Sequence, residues 1–300
     1  MSEGKEQAQA RLSNLQAIEP LLGSLRVLSL STMQMALNRQ ASLSAYAERF
    51  SLVAAQARFL AGNKPEKSAL EEPFDYRPRV QSKVLAVIGS SRGICGQYNK
   101  QLARMASERL AQHGALPIKV LAFGARVQRA LTQEGIKYER RETLGQGSMP
   151  AYDLAASLLR EWKAAFRAGA LERVQILSFR KRTQNNNYTP VFTTLLPETD
   201  LNSQGTSQTD LPFPPPIIEG DPERLLKQIE SHLLAIRFYQ LILDAIAAEN
   251  LYRYRLLEEA KENTSNLLEE LSLAIQSERR KEITQQLQEL LVGSGMLAQR

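Results

Sequence analysis

The chain has 300 residues, of which 43% are hydrophobic but only 6% aromatic, with a single Trp. This length supports one or two domains, and the shortage of aromatic residues favours Leu/Ala packing between helices over a β-rich core. One cysteine excludes an internal disulfide, and two histidines leave little material for a metal or imidazole site. We find no N-terminal leader and no stretch approaching about 18 apolar residues, which predicts a soluble, intracellular chain.

The net charge of +6 is distributed unevenly along the chain. Residues 80–197 carry 18 basic and 7 acidic side chains, a net charge of +11, whereas residues 1–79, 198–221 and 222–300 carry +2, −5 and −2. The positive excess therefore lies in the middle segment. A nucleic-acid groove would need stacking aromatic residues beside the basic ones, and these are few. We therefore favour an acidic partner protein over nucleic acid.

The first predicted element is a long helix in the N-terminal segment. Ser24–Ala61 contains neither Gly nor Pro over 38 residues, which is roughly 57 Å of helix. Pro20 and Gly23 precede this run, so we expect a kink or a new helix start there. A helix that begins near Pro20 and a helix from about Glu6 that bends at Pro20 both fit the sequence.

The middle segment alternates short apolar runs with helical patterns. The predicted strands are Val84–Ile88, Ile118–Phe123, Val174–Phe179 and Thr189–Leu196, and the predicted helices are Gln97–His113, Ala125–Glu134 and Ala151–Ala168. This alternation predicts a small, mostly parallel, Rossmann-like α/β domain in three layers. The following segment, Glu198–Asp221, is acidic and rich in proline, which indicates a linker or loop.

The last segment predicts a second and longer helix. Glu223–Val292 is a run of 70 residues without Gly or Pro, roughly 100 Å if continuous. Its apolar residues follow a 3-4 spacing along one seam: Leu226, Ile229, Leu233, Ile236, Leu243, Ala247, Tyr254, Leu257, Leu268, Leu271 and Ile275. Polar residues interrupt that seam, namely Gln240, Asn250, Lys261 and Thr264. This is typical of a helix with a helical partner, in which polar interruptions fix the register or weaken packing locally.

The N-terminal helix is the natural partner of this long helix. We therefore predict an α/β fold plus a long antiparallel coiled coil, with the terminal helices paired around the small domain. The predicted domains are a helical arm with a connector (1–79), an α/β domain (80–197), an acidic Pro-rich linker (198–221) and a long C-terminal helix (222–300).

The turn at 88–96, Ile-Gly-Ser-Ser-Arg-Gly-Ile-Cys-Gly, is the stretch most similar to a phosphate cradle. Its spacing fits neither a dinucleotide fingerprint nor a P-loop, so we interpret it as a tight strand-to-helix turn. Cys95 has no resolving cysteine, which favours a small buried residue over a reactive thiolate.

The histidines and carboxylates form no catalytic or metal-binding pattern. His113 ends a predicted helix, and His232 has no second ligand at i+4 on the long helix. The acidic residues Glu258, Glu259, Glu262, Glu269 and Glu270 are predicted to form a solvated helix face. We therefore expect no catalytic residue, no cofactor and no metal ion.

Three stretches of the chain are similar to the motifs of one family. Residues 90–99 are similar to Ser-Asp-Arg-Gly-Leu-Cys-Gly-x-x-Asn, and Thr32–Ala36 to Ala-Met-x-Met-Val-Ala. In the long helix, Glu249 and Arg253 match Ser-Glu-x-x-x-Arg-Met, Ala260 and Asn263 match Ala-Thr-x-Asn-Ala, and Ile283, Thr284 and Glu289 match Ile-Thr-x-Glu-Leu-x-Glu-Ile. In this order, the motifs resemble the γ subunit of F-type ATP synthases, over both arms and the first part of the middle domain.

The resemblance implies a central rotor that couples ion flow across a membrane to ATP synthesis or hydrolysis. In this family the paired helices turn inside a ring of α and β subunits. The base of the stalk, which includes the α/β domain and is here called the foot, lies on the ε subunit and the membrane c-ring. The γ subunit contributes no active site of its own. The implied location is peripheral, on the cytoplasmic face of a bacterial inner membrane or on a thylakoid membrane. The alternatives are a γ-like protein that docks without rotating and a nucleotide-dependent enzyme built on 84–196.

The resemblance also implies which residues contact partners. Met33, Glu249 and Arg253 match positions where the family contacts β-subunit loops. A higher contact region is matched by Arg279, Arg280, Thr284 and Glu289. We expect the three arginines of this set to donate charge-assisted hydrogen bonds to acidic loops of the ring.

The chain also departs from the family pattern. Ser91 replaces an Asp, Arg280 replaces a Gln, and residues 255–257 replace Met and Ala residues. The two cysteines of the photosynthetic regulatory insertion are missing as well. The chain thus resembles a divergent γ subunit, of the kind expected in an alternative or sodium-linked ATPase.

Overall fold

The computed structural model describes residues 2–60, 82–112, 118–141, 152–182, 187–197 and 220–293. The helices are α1 (Ser2–Leu60), α2 (Tyr98–Gln112), α3 (Ala125–Gln133), α4 (Tyr152–Arg167) and α5 (Pro222–Gly293). The strands are β1 (Ser82–Ile88), β2 (Ile118–Phe123), β3 (Glu139–Arg141), β4 (Leu171–Lys181) and β5 (Tyr188–Leu196). Nearly all of the predicted linker, and His113, lie outside the described residues.

The chain divides into two units that differ from the predicted domains. Residues 1–30 and 253–300 form one, here called the terminal unit, and residues 31–252 form the other, the central unit. The predicted fold class is confirmed, because an N-terminal helix, a small mostly parallel sheet domain and a long C-terminal helix are all present. The four predicted domain boundaries stay predictions.

α1 is a single helix with Pro20 inside it. A helix that begins near Pro20 is therefore wrong, and the helix extends even further toward the N-terminus than Glu6. Pro20 is exposed, so water can bind the carbonyl that loses its backbone partner to the proline ring. The Pro20 carbonyl itself accepts a hydrogen bond from the Ser24 hydroxyl at 2.9 Å.

The central unit contains a five-stranded sheet in the order β3-β2-β1-β4-β5. The pairings β1–β2, β1–β4 and β2–β3 are parallel, whereas β4–β5 is antiparallel. Strand β3 was not predicted, because it has only three charged residues, Glu-Arg-Arg, at the edge of the sheet. Such a segment shows no apolar run or alternation.

Both faces of the sheet are buried. Val84, Ala86 and Ile88 of β1 belong to a core cluster with α4 and part of α5, while Leu85 and Val87 belong to a cluster with α2 and α3. Helices on both faces are typical of parallel sheets, which explains why β1 reads as a continuous apolar run. The predicted three layers are therefore observed.

In the central unit, α1 and α5 run antiparallel. Gln40 Nε2 donates to Asp244 Oδ1 at 2.7 Å, and Gln240 Nε2 donates to Ser44 Oγ at 3.2 Å. Four residues forward along α1 are thus matched by four residues back along α5, one helical turn on each helix. Gln240, predicted to interrupt the seam, indeed faces the partner helix.

The terminal unit contains the same two helices, again antiparallel. Arg26 Nη1 donates to Glu258 Oε2 at 2.6 Å, and Ser265 Oγ donates to Glu19 Oε1 at 3.3 Å. Seven residues back along α1 are matched by seven forward along α5, the step of a heptad repeat. Leu257 is fully buried in this unit, whereas every residue from 276 to 292 is exposed.

Within α5, the part from Glu223 to Val292 contains an 18-residue window that is apolar enough to cross a membrane, with a mean hydropathy of 1.2. The expectation that no stretch approaches this length is therefore wrong by composition. Of that window, 72% is buried inside the protein. Burial against neighbouring elements explains its apolar character, as in the core helix of a soluble protein.

Candidate subunit interface

The turn after β1 is held together by its own hydrogen bonds. Ser90 is fully buried, its N–H donates to Asn99 Oδ1 at 3.0 Å, and Asn99 Nδ2 donates to Ser90 Oγ at 2.8 Å. The Ser90 hydroxyl in turn donates to the Arg92 carbonyl at 3.0 Å. The N–H of Gly89 donates to the Phe123 carbonyl at 3.0 Å. These N–H groups are occupied by protein acceptors, which supports a tight turn rather than a phosphate cradle.

Two glycines allow the turns after β1 and β2 to approach each other. A Cβ on Gly89 would lie 2.3 Å from Val127 Cβ, and a Cβ on Gly124 would lie 2.6 Å from the carbonyl oxygens of Gly89 and Ser90. Gly124 also has a φ of 116°, which other residues rarely adopt. The glycines of this region therefore serve packing between backbones.

Cys95 is buried, as the sequence predicted. Its Sγ lies 3.3 Å from the Gly93 carbonyl, within hydrogen-bonding distance for a thiol. His232 lies between two tyrosines, with Tyr46 OH 3.2 Å from Nε2 and Tyr152 OH 3.1 Å from Nδ1. Among the described residues, no group of three His, Cys, Asp or Glu side chains could hold a metal ion.

The predicted contact residues lie on α1 and α5 and fall into both units. Met33, in the central unit, is partly buried against the cluster that contains α2 and α3. Glu249 of the same unit and Arg253 of the terminal unit are partly buried. The structure therefore gives these three residues a packed setting, with side chains that are only partly accessible to another subunit.

The other four predicted contact residues lie together near the end of α5, and all are exposed. The Thr284 hydroxyl donates to the Arg280 carbonyl at 2.9 Å, and Glu289 Oε1 accepts from Gln285 Nε2 at 3.0 Å. An open groove of about 600 Å³ follows this part of α5 and includes Arg280 and Thr284. Residues of one helix line it, so it is an open surface rather than an enclosed pocket.

Exposed apolar side chains lie on the same part of α5 as Arg279 and Arg280. Ile283, Leu287 and Leu290 are 49%, 55% and 68% exposed. Lys281 pairs with Glu278 at 2.9 Å. A surface that combines exposed arginines with exposed aliphatic residues is typical of a protein–protein interface.

The ion pair between the helices of the terminal unit shifts the pKa of both partners. The hydrogen bond to Glu258 raises the pKa of Arg26, and the hydrogen bond from Arg26 lowers the pKa of Glu258. The Arg26 guanidinium also lies 6.0 Å from the ring centre of Tyr254. The pair is accessible to solvent, so its contribution to stability is small.

Sequence reasoning missed a set of polar contacts in the central unit. Asp244 bonds to Gln40 and lies 3.8 Å from Arg180 Nε, and Tyr98 OH donates to the Ala245 carbonyl at 3.1 Å. The available signal was a single acidic residue inside the apolar run 241–246, Leu-Ile-Leu-Asp-Ala-Ile. A carboxylate in such a run requires a polar partner when it is buried.

Comparison with known proteins identifies the family. The protein-family model for ATP synthase matches residues 5–297, a range that covers nearly all of both long helices and the whole sheet domain. The chain belongs to the ATP synthase family. The predicted resemblance to γ subunits is confirmed, because curated relatives of this chain are named ATP synthase gamma chain.

These relatives match over almost their whole length. The gamma chain of Rhodopirellula baltica is 24% identical over 94% of this chain and 95% of the relative, and that of Parabacteroides distasonis is 23% identical over 97% and 98%. Among solved structures, a chain of the Euglena gracilis mitochondrial ATP synthase (OSCP/F1/c-ring, rotational state 3) has a TM-score of 0.62 at 12% identity, covering 99% of this chain and 95% of that one. A chain of the rotor of the same enzyme has a TM-score of 0.58. The fold of this ATP synthase family member is thus similar to the fold of those chains.

Proposed function

We propose that this chain is the central-stalk rotor subunit, γ, of an F-type ATP synthase. The observation that carries the proposal is the match to the ATP synthase family over residues 5–297. The motifs of the γ resemblance lie in both helical arms and in the sheet domain within that range. The γ subunit transmits torque between ion flow and the nucleotide sites of other subunits, so it needs long paired helices rather than an active site.

The proposed partners are the α and β subunits around the helices and the ε subunit and c-ring at the α/β domain. Solved relatives by fold come from assemblies named F1/c-ring and central stalk/c-ring, which supports membership of such a complex. The complex would hold the chain peripherally at a membrane. We further propose the cytoplasmic face of a bacterial membrane, which the bacterial origin of the relatives supports.

The test is co-expression of the chain with the α, β and ε subunits encoded by the same organism, followed by purification through a tag on this chain. We expect a complex that hydrolyses ATP and in which a fluorescent bead on the α/β domain rotates when ATP is added. Failure to recover the α and β subunits would contradict the proposal. A complex that hydrolyses ATP while the bead stays still would instead favour a docking protein.

The predicted contact residues allow a finer test. Arg279→Ala with Arg280→Ala should weaken binding to the α and β subunits by about tenfold or more, because a hydrogen bond to a charged group contributes about 1.5–3 kcal/mol. Lys281→Ala is the matched control, since Lys281 already pairs with Glu278 on the same helix. Equal binding of the double variant and the control would show that the arginines do not contact acidic loops.

Contacts at Met33, Glu249, Arg253, Thr284 and Glu289 are proposed in the same way. The partial burial of Met33, Glu249 and Arg253 predicts that each exposes only part of its side chain to the ring. Cysteine cross-linking of Thr284 to the β subunit would test the upper region, because Thr284 is exposed. A Thr284→Cys variant that gives no cross-link in the assembled complex would remove this residue from the interface.

A further inference from the structure

Asp244 occupies a buried position where three elements of the central unit meet. It belongs to α5 and is only 4% exposed. Its Oδ1 accepts the hydrogen bond from Gln40 of α1 at 2.7 Å, and its Oδ2 lies 3.8 Å from Arg180 Nε of β4. One carboxylate therefore contacts the partner helix and the sheet at the same time.

The next residue of α5 makes a second directional contact. The Ala245 carbonyl accepts the hydrogen bond from Tyr98 OH at 3.1 Å. Tyr98 begins α2, is fully buried and stacks on Phe179 of β4 with ring centres 4.4 Å apart. Two consecutive residues of α5 are thus bound by polar contacts to α1, α2 and β4.

Burial at this position disfavours the charged form of the carboxylate. Burial raises the pKa of Asp244, because the charged form loses its hydration there, and Gln40 and Arg180 oppose that rise only in part. The flanking residues are apolar, so an apolar side chain would suit packing as well. Apolar contacts hold the sheet to the helices but are non-directional, whereas the hydrogen bond from Gln40 fixes the register of the helices and the charge of Arg180 attracts the carboxylate toward β4.

We propose that Asp244 is the positioning residue that fixes the α/β sheet against the helix segments 31–60 and 220–252. This inference rests on the proposed rotor function, in which force must pass between the foot and the paired helices. Without the Asp244 contacts the sheet slides against the helices, and torque is lost at that joint. The carboxylate acts through Gln40 and Arg180.

The experiment uses the complete complex with its membrane subunits in sealed vesicles. ATP hydrolysis and the ATP-driven membrane potential, read from a voltage-sensitive dye, are measured in the same vesicles, so that the identity of the coupling ion does not matter. Asp244→Asn removes the charge with little change in shape. Because this removes the attraction to Arg180 and leaves Gln40 only an uncharged acceptor, we expect the potential generated per ATP hydrolysed to fall to less than half of wild type. Asp244→Glu keeps the charge and should retain most of that ratio.

Thr264→Val is the matched control. Thr264 is a buried polar residue of the same helix, and its hydroxyl donates to the Ala260 carbonyl of α5 itself at 2.7 Å. The coupling ratio of this control should equal that of wild type. If Asp244→Asn does not assemble, Arg180→Gln replaces it, because the half-exposed Arg180 side chain tolerates substitution. Its ratio should lie between the ratio of wild type and the ratio of wild-type vesicles treated with an uncoupler, which marks complete loss of coupling.

An unchanged ratio in an assembled Asp244→Asn or Arg180→Gln complex overturns the inference. So does a smaller yield of complex with a normal ratio, since that outcome assigns Asp244 to folding alone. A wild-type chain that forms no ATP-hydrolysing complex overturns the rotor proposal itself. The wild-type measurement therefore separates failure of the proposed function from failure of this inference.

Discussion

Asn99 is the residue on which the turn after β1 depends most directly. Replacing it with alanine removes both of its hydrogen bonds to Ser90, at 3.0 Å and 2.8 Å. Ser90 is fully buried, so its backbone N–H would be left without a partner, at a cost of about 1–3 kcal/mol. The second lost hydrogen bond adds about 0.5–1.5 kcal/mol. We therefore expect Asn99→Ala to lower the free energy of unfolding by about 1.5–4.5 kcal/mol.

Urea unfolding followed by tryptophan fluorescence measures this loss. The single tryptophan, Trp162, is 3% exposed in the same unit and packs on Phe238 with ring centres 5.3 Å apart. Lys100→Ala is the control, because Lys100 follows Asn99 on α2 and is exposed, so a change within about 0.5 kcal/mol is expected.

A double-mutant cycle with Ser90→Ala isolates the contact between the two side chains. We expect a coupling energy of about 1 kcal/mol. A cycle without coupling would exclude only the hydrogen bond between the two side chains. If Asn99→Ala costs no more than Lys100→Ala, then the hydrogen bonds of Asn99 do not hold this turn. The turn would then be stabilised by its packing alone.

Three further predictions concern backbone and titration. Gly124→Ala should lower the free energy of unfolding by about 2–4 kcal/mol, because of the positive φ and the close carbonyl oxygens. Gly23 lies in a helix with open space around it, so Gly23→Ala should raise the free energy of unfolding by about 0.5–1 kcal/mol. Urea unfolding measures both changes. The pKa of Asp244 is raised in the folded chain, so the folded chain binds this proton at a higher pH than the unfolded chain does. The free energy of unfolding of wild type should therefore rise relative to that of Asp244→Asn as the pH falls from the folded-state pKa to the ordinary pKa of an aspartate. Burial raises the pKa of Tyr188 to about 12, so the unfolded chain ionises first above pH 10 and wild type should lose stability there relative to Tyr188→Phe, measured by alkaline unfolding.

Much of the fold follows from local patterns. The runs without Gly and Pro predicted α5 and residues 24–60 of α1, because only a helix keeps such long runs ordered without turn residues. The apolar runs predicted β1, β2, β4 and β5 to within a few residues. β3 escaped because its charged residues take their structure from the neighbouring strand β2 and not from their own sequence.

Other features depend on contacts between residues far apart in the chain. The partners of Asp244 lie in α1 and β4, so its contacts could not be predicted from the sequence of α5 alone. Pro20 shows the reverse case, in which the local signal for a new helix start is overridden, because the proline is exposed and water can bind the freed carbonyl. The roles of Arg279 and Arg280 depend on other subunits, so they remain predictions that only an assembled complex can test.

The exposed end of α5 has a consequence for the life of the free subunit. Aliphatic residues such as Ile283, Leu287 and Leu290 face water there over several helical turns. Such a surface binds to other exposed apolar surfaces, including a second copy of itself. A cell that makes this chain in excess over its partners would therefore accumulate a species prone to aggregation and proteolysis.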